Sequence, residues 1–354
     1  MPTRVERIRG VAARALARLP ERVQASLALR PPLVVDGQTL DPAIRLVLML
    51  RPDGGVAPLS HGPIGEARAR HRREVLSVRG RLTSVGAVRP TRVDGPGGPL
   101  GARLYLPPAV EGAASPPLLV YLHGGGFMLG DLDTVDEPCR LLCHHGAMAV
   151  LSVDYRLAPE HPFPAALVDA TAALRWAQEH ASDLGVDPDR IAIGGDSAGG
   201  NLAAVVSQRT RAEAPPTAQL LVYPPTDRPS PRASHRLFDG YLLSMADRAA
   251  FHSTYTGDAV PADDPRVSPL YASDLSGLPP ALVVTAGFDV LRDEGEAYAR
   301  ALRDVGTVCE LHREPSLPHG FLQLTSISRA AHHATIEVAG RFGRLLRATG
   351  GARA

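Results

Sequence analysis

A serine set between glycines, where an apolar run turns into a run of helix formers, carries the most direct chemical meaning in this chain. In "RIAIGGDSAGGNLAA" the residues are Gly195-Asp196-Ser197-Ala198-Gly199. A strand that bends straight into a helix lifts the residue at the bend clear of the sheet. Side chains two positions either side would collide there, which accounts for Gly195 and Gly199. The helix N-terminus beneath Ser197 adds a favourable dipole. The plain alternative is a glycine-rich turn in which Ser197 only caps the helix. The strand–turn–helix setting favours an activated nucleophile.

A second stretch, "LLVYLHGGGFMLG", places His123-Gly124-Gly125-Gly126 after another apolar run. Acyl transfer builds negative charge on a carbonyl oxygen, and fixed N–H donors stabilise that charge better than water does. Residues without side chains let the backbone come close to it. The expected donors are the N–H groups of Gly125, Gly126 and Ala198, with His123 and Gly124 shaping the loop. A phosphate cradle would need G-K-[ST], and the chain has no Lys at all.

A serine hydroxyl needs a base to take its proton, and the base needs an acid to fix its tautomer. With this turn, the expected chain order is serine, acid, histidine. "AGFDVLRDEGEA" offers Asp289 directly after an apolar run, with Asp293 and Glu294 as competitors. Those two stand where a helix begins and suit its dipole or cap. Of the later histidines, His312 falls in a strand pattern, and His332 and His333 in the last helix. His319, in "PSLPHGFL", lies in a loop beside Gly320. The expected catalytic set is Ser197, Asp289 and His319.

Such residues need a scaffold, and the hydrophobic pattern supplies one. Short apolar runs at 118–122, 149–153, 190–194, 220–223, 281–285 and 308–312 alternate with helical stretches such as "VDEPCRLLCHHGA" and "AALVDATAALRWAQEHASDLG". Continuous apolar strands between helices predict a mostly parallel sheet covered on both faces. "LTSVGAVRP" and "GGPLGARLYLPP" alternate like strands ahead of it. The first 80 or so residues read as helices and connections, broken at "RPPLVVDGQTLDP" and "RPDGGVAPLSHGPIG". From 224 to 280 only "SMADRAAFHSTYTG" reads as a helix. So long a connection implies an inserted segment. The expected division is cap helices over 1–85, a catalytic domain over 86–224 and 279–354, and an inserted cap segment over 225–278.

Composition removes other classes. The formal charge of +1 arises from 38 Arg and 37 acidic residues, so nothing marks a nucleic-acid partner. The N-terminal 30 residues carry Arg throughout and no apolar core for a signal peptide; a helix lying on the protein is expected there. No run approaches the ~20 apolar residues of a bilayer span, so stable membrane anchoring is not expected. Three Cys without a CxxC point to a reducing, cytoplasmic setting. Cys139 and Cys143 in "CRLLCHH" read as neighbours on a buried helix face, not metal ligands.

Taken together, "HGGGFMLGDLDTVD", "VDYRLAPEHPFPAALVDA", "GGDSAGGNLAA", "DVLRDEGEAYA" and "HGF" resemble the hormone-sensitive-lipase family of α/β-hydrolases, in its bacterial esterase branch. The resemblance spans roughly residues 85–345. It implies an α/β-hydrolase fold with an eight-stranded, mostly parallel sheet, flanking helices and a helical cap. It also implies no cofactor, and a small-molecule ester of short or medium acyl chain as substrate. Tyr155, Arg156 and Glu160 would shape the loop beside the site. Val290 departs from the family, which often has Pro there, and the cap segments match only loosely. The expectation is a serine carboxylic-ester hydrolase working through an acyl-enzyme, compatible with a homodimer. The rivals are an acyltransferase or amidase with the same triad, or a hydrolase-fold receptor without catalysis.

Overall fold

Alternation along pleated strands decides how the core divides. In Leu118–Leu122, Leu118, Val120 and Leu122 enter one apolar cluster, while Leu119 and Tyr121 enter another. Ala149, Leu151 and Val153 likewise oppose Val150, and Ile191 and Ile193 oppose Ala192. Every residue of these runs is buried, so each strand has two dry faces and demands a helix layer on each.

The computed structural model describes residues 2–27, 31–50, 59, 61–112 and 114–349. Its elements begin with α1 (Arg4–Ala17), α2 (Glu21–Leu27), a small hairpin of β1 (Val34–Val35) and β2 (Gln38–Thr39), α3 (Pro42–Leu50) and α4 (Ile64–Val78). The antiparallel pair β3 (Ala87–Gly95) and β4 (Gly98–Leu106) follows, then β5 (Leu118–Leu122), α5 (Asp136–Gly146), β6 (Ala149–Val153), α6 (Ala165–Glu179) and α7 (Ala181–Leu184). Next come β7 (Ile191–Asp196), α8 (Ala198–Thr210), β8 (Gln219–Val222), α9 (Ala233–Leu237) and α10 (Met245–Tyr255). The chain closes with β9 (Ala281–Phe288), α11 (Arg292–Asp304), β10 (Cys309–Pro318) and α12 (Arg329–Thr349).

The eight-stranded sheet has the order β10-β9-β8-β7-β5-β6-β4-β3. β5 to β10 pair in parallel, and β4 joins β6 antiparallel. This is the mostly parallel sheet that the alternating pattern predicts and the α/β-hydrolase architecture that the family resemblance implies. Because β6 and β7 flank β5 on opposite sides, the direction of winding reverses at β5. Open α/β sheets bind ligands beyond the strand ends at such a reversal.

Three local details differ from the sequence reading. β10 runs on to Pro318 instead of ending near His312. Its register slips between Glu314 and Pro318, and as the last strand of the sheet it accommodates "PSLP". The helix expected over 165–185 breaks at His180, whose ring stacks on Trp176 and bonds the Trp176 carbonyl at 2.9 Å. "RPPLVVDGQTLDP" contains the β1–β2 hairpin rather than a plain connection. Of "RPDGGVAPLSHGPIG", residues 51–58 and 60 lie outside the described residues.

α1 lies on α4, where the Arg14 guanidinium donates to the Ser77 carbonyl at 2.7 Å and Glu6 pairs with Arg73 at 3.1 Å. Ala67 of α4 packs with Met128, Leu129, Leu243, Phe251, Val290 and Leu291 in a third apolar cluster. Helix α4, residues Leu243 and Phe251, and the stretches that follow β5 and β9 therefore meet in one apolar cluster. No helix among the described residues is long and apolar enough to cross a membrane.

Candidate active site

Two turns leave neighbouring strands at the reversal point. Leu122 at the end of β5 is in register with Gly195 of β7, so the His123 loop and the Ser197 turn start side by side. Ser197 has φ 53° and ψ −120°, values that an L-residue adopts only under strain. A Cβ at Gly199 or Gly195 would fall on the Leu122 carbonyl oxygen, well inside contact distance. The glycines thus answer to the neighbouring strand as much as to each other. Ser197 stands at the helix N-cap position, yet its side chain caps nothing.

The Ser197 Oγ lies 2.9 Å from Nε2 of His319, and Nδ1 of His319 lies 2.8 Å from Oδ2 of Asp289. Strand register explains the second contact. β9 and β10 pair with Phe288 opposite Pro318, so the residues that follow them, Asp289 and His319, emerge together. The Asp289 side chain is fully buried, and its Oδ1 accepts the Leu291 N–H at 2.9 Å. The carboxylate is therefore held at both oxygens. With Oδ2 accepting from Nδ1–H, the His319 Nε2 lone pair is left to face the serine.

In the glycine loop, Gly125 has φ 127° and Gly126 φ 61°. Their N–H groups have no acceptor among the described residues. Gly126, Ser197 and Ala198 border one cleft. Gly125 is not on its wall; its carbonyl accepts the Leu129 N–H at 2.8 Å. His123 is buried, with Nδ1 at 2.9 Å from the Gly124 carbonyl and its ring stacked on Tyr155. The Tyr155 hydroxyl donates to the His123 carbonyl at 2.7 Å.

Sequence reasoning passed over Asp196. Its buried Oδ1 accepts the Gly124 N–H at 2.9 Å and the Tyr121 hydroxyl at 2.7 Å. Burial pushes this carboxyl above the usual range and pushes the Tyr121 and Tyr223 phenols well above theirs, which keeps the phenols protonated as donors. Tyr223, also passed over, lies 4.5 Å from the His319 ring centre to centre, and its hydroxyl reaches Asp196 Oδ2 at 3.4 Å. No spacing rule marks either residue; their ends on adjacent parallel strands do.

The competitors have other partners. Asp293 accepts the Ser234 N–H at 2.9 Å and pairs with Arg292. The buried Glu294 accepts the Thr226 N–H at 2.8 Å and pairs with Arg248 at 3.2 Å. Both stand in the first turn of α11, as expected, and there they also tie Thr226, Ser234 and Arg248 to that helix. His312 pairs with Glu314 at 2.8 Å, while His332 and His333 lie on α12. Arg156 forks onto the buried Asp169 at 2.7 and 2.9 Å, and Glu160 pairs with Arg68 of α4 at 2.6 Å. Arg68 also donates to the Met128 carbonyl at 2.8 Å, bracing the glycine loop. Cys139 and Cys143 are buried and unpaired on α5, and burial pushes the Cys143 thiol up to about 12.

A strand-borne serine turn, a glycine loop and an Asp-His pair on a sheet of this order define a serine hydrolase of the α/β class. The family model described as "alpha/beta hydrolase fold" matches residues 119–323. The chain belongs to that family, in its hormone-sensitive-lipase-like group. It is 46% identical over 338 residues to the carboxylic ester hydrolase LipN of Mycobacterium tuberculosis, covering 93% of this chain and 89% of that one. It is 41% identical over 245 residues to an ethyl acetate hydrolase of Pseudomonas putida, covering 68% and 76%. Among solved structures, an ester hydrolase from the Lake Arreo metagenome, complexed with a bipyridine phosphonate derivative, superposes with a TM-score of 0.81. That structure is 40% identical, with 86% of this chain and 98% of that chain covered.

Proposed function

We propose that this chain is a carboxylesterase that cleaves short- to medium-chain acyl esters, with Ser197 as nucleophile, His319 as base and Asp289 as its orienting acid. The observation that carries the assignment is the unbroken relay from Ser197 Oγ through His319 to Asp289, at 2.9 and 2.8 Å. Esterase relatives on both the sequence and the structural side support ester hydrolysis as the reaction.

In the proposed cycle, His319 Nε2 takes the Ser197 proton as Oγ attacks the ester carbonyl carbon. The N–H groups of Gly126 and Ala198, which border the cleft, receive the oxyanion, joined by that of Gly125 from the same loop, which has no other acceptor among the described residues. Collapse of the tetrahedral intermediate breaks the bond to the alcohol oxygen, which leaves with the proton from His319. Water then repeats the sequence on the acyl-enzyme and releases the carboxylic acid. Residues 1–85 and 225–278 act as a cap, a reading supported by Leu243 and Phe251 on the cleft wall. The unpaired Cys139, Cys143 and Cys309 support a cytoplasmic setting.

The deciding measurement is hydrolysis of p-nitrophenyl acetate and butyrate by Ser197→Ala. A fall in kcat on the order of 10⁶ is expected if the triad acts as a unit. Near-parental turnover overturns the assignment. Labelling by a fluorophosphonate, lost in the same variant, separates an enzyme from a receptor.

A further inference from the structure

The cleft beside Ser197 is not wholly apolar, because Arg248 and His252 of α10 also border it. Only 10% of the Arg248 side chain is exposed. Its Nη2 donates to the Asp227 carbonyl at 2.6 Å and pairs with Glu294 at 3.2 Å. Its Nε is sealed from solvent without an acceptor among the described residues. Arg228, whose carbonyl also accepts from Arg248 at 3.3 Å, repeats the pattern: its Nε and Nη1 are both buried and unbonded.

The surrounding charges do not cancel. Arg228, Arg232 and Arg248 gather here with the carboxylates of Asp227 and Glu294. Asp227 is engaged by Arg232, the Ser230 N–H and the Tyr271 hydroxyl. Glu294 is engaged by Thr226, Arg248 and His235. Among the described residues, the Arg228 guanidinium is left without a paired carboxylate. Burial and the two arginines hold His252 down to about 3, so it stays neutral and adds no further positive charge. Burial and Arg248 also lower Arg228. Buried guanidinium N–H groups left unbonded are costly, and a carboxylate, whose oxygens match that fork, is the group that satisfies them best.

We propose that Arg248 on the cleft wall, together with its neighbour Arg228, binds a carboxylate carried by the substrate, so that the preferred substrates are acidic esters. The inference rests on the ester-hydrolase reading above and adds the substrate class. The carboxylate has two chemical sources: the acyl part, as in a monoester of a dicarboxylic acid, or the alcohol part, as in an acylated hydroxy acid.

Two matched pairs of esters test it on the full chain, with acid release followed by pH-stat. Monoethyl glutarate is compared with ethyl pentanoate, and 4-acetoxybutyrate with butyl acetate. The acidic member of at least one pair is expected to have the higher kcat/KM, and the winning pair identifies the source. In Arg228→Leu the acidic-to-neutral ratio for that pair is expected to fall about tenfold or more, as for a lost charge-assisted hydrogen bond. If Arg228→Leu does not fold, the unaltered protein still decides. Glutarate is then expected to inhibit p-nitrophenyl butyrate hydrolysis competitively at lower concentration than pentanoate. Neutral esters cleaved with no preference in either pair, an unchanged ratio in Arg228→Leu, or equal inhibition by the two acids overturns the inference and leaves ester hydrolysis standing. No turnover of any ester overturns both.

Discussion

The Asp196 carboxylate accepts the Gly124 N–H at 2.9 Å, tying the turn that presents Ser197 to the loop that faces it. The two are adjacent because β5 and β7 are adjacent, and a buried charge-assisted bond holds them in register. The spacing between the Ser197 turn and the glycine loop is thereby held by a buried residue that does not line the cleft.

Asp196→Asn is expected to keep the fold and lower kcat about 10–10²-fold, with a smaller change in KM, because the donors shift relative to Ser197. Tyr121→Phe removes only one of the bonds to Asp196 and is expected to cost less. Steady-state kinetics on p-nitrophenyl butyrate, beside melting curves, check the ranking. Equal kcat in Asp196→Asn and the parent would remove Asp196 from the positioning of the loop.

Gly199→Ala and Gly126→Ala are expected to fail differently. At Gly199 the added methyl meets the backbone of Leu122 and His123, which cannot give way. A loss of about 3 kcal/mol in stability should follow. At Gly126 it meets Cγ and both Cδ atoms of Phe251, so the whole side chain must shift, a smaller cost than moving backbone. There the φ of 61° and the altered loop should reduce kcat about 10²-fold. Urea unfolding and kcat measured on both variants separate the two effects.

Asp289→Asn should lower kcat about 10⁴-fold, since an amide at Oδ2 favours the wrong tautomer of His319. Asp293→Asn, one turn further on, should change kcat less than about threefold while lowering the melting temperature, because it bonds Ser234 and Arg292. The reverse ranking would move the acid.

Stability should fall as pH drops from about 6.5 towards 4. Burial holds His71 down to about 4 and His252 to about 3, against 6.5 in the unfolded chain. Between those values the unfolded state binds more protons, so acid favours unfolding and stability rises with pH. His312, raised by Glu314, works the other way and gives up stabilisation as pH climbs above about 6.5. Melting temperature against pH, in the parent and in a His71→Gln/His252→Gln double variant, tests this. A slope between pH 6.5 and 5 as steep in the variant as in the parent would exclude these two histidines.

Much of the sheet was legible because its strands are buried on both faces. Runs such as Leu118–Leu122 carry no polar interruption, and the glycine turns stand at their ends. Residues 225–278 were legible as a long connection with one helix, α10, but an amphipathic helix shows an apolar face without saying what it covers. β10 was read short because Pro315 and Pro318 look like breakers. They are tolerated where the chain forms the edge of the sheet and its ladder bulges.

From residue types and order alone came a strained serine turn, a glycine loop, and an acid and a histidine standing where loops follow strands. Those are local features, written in short stretches of chain. Tertiary structure decided what depends on pairing between distant strands: Asp289 beside His319, Asp196 under Gly124, Tyr223 against the imidazole. It also brought Arg248 to the wall of the cleft, with Arg228 next to it. Register and burial arise from the whole sheet closing at once, and no window of sequence contains them.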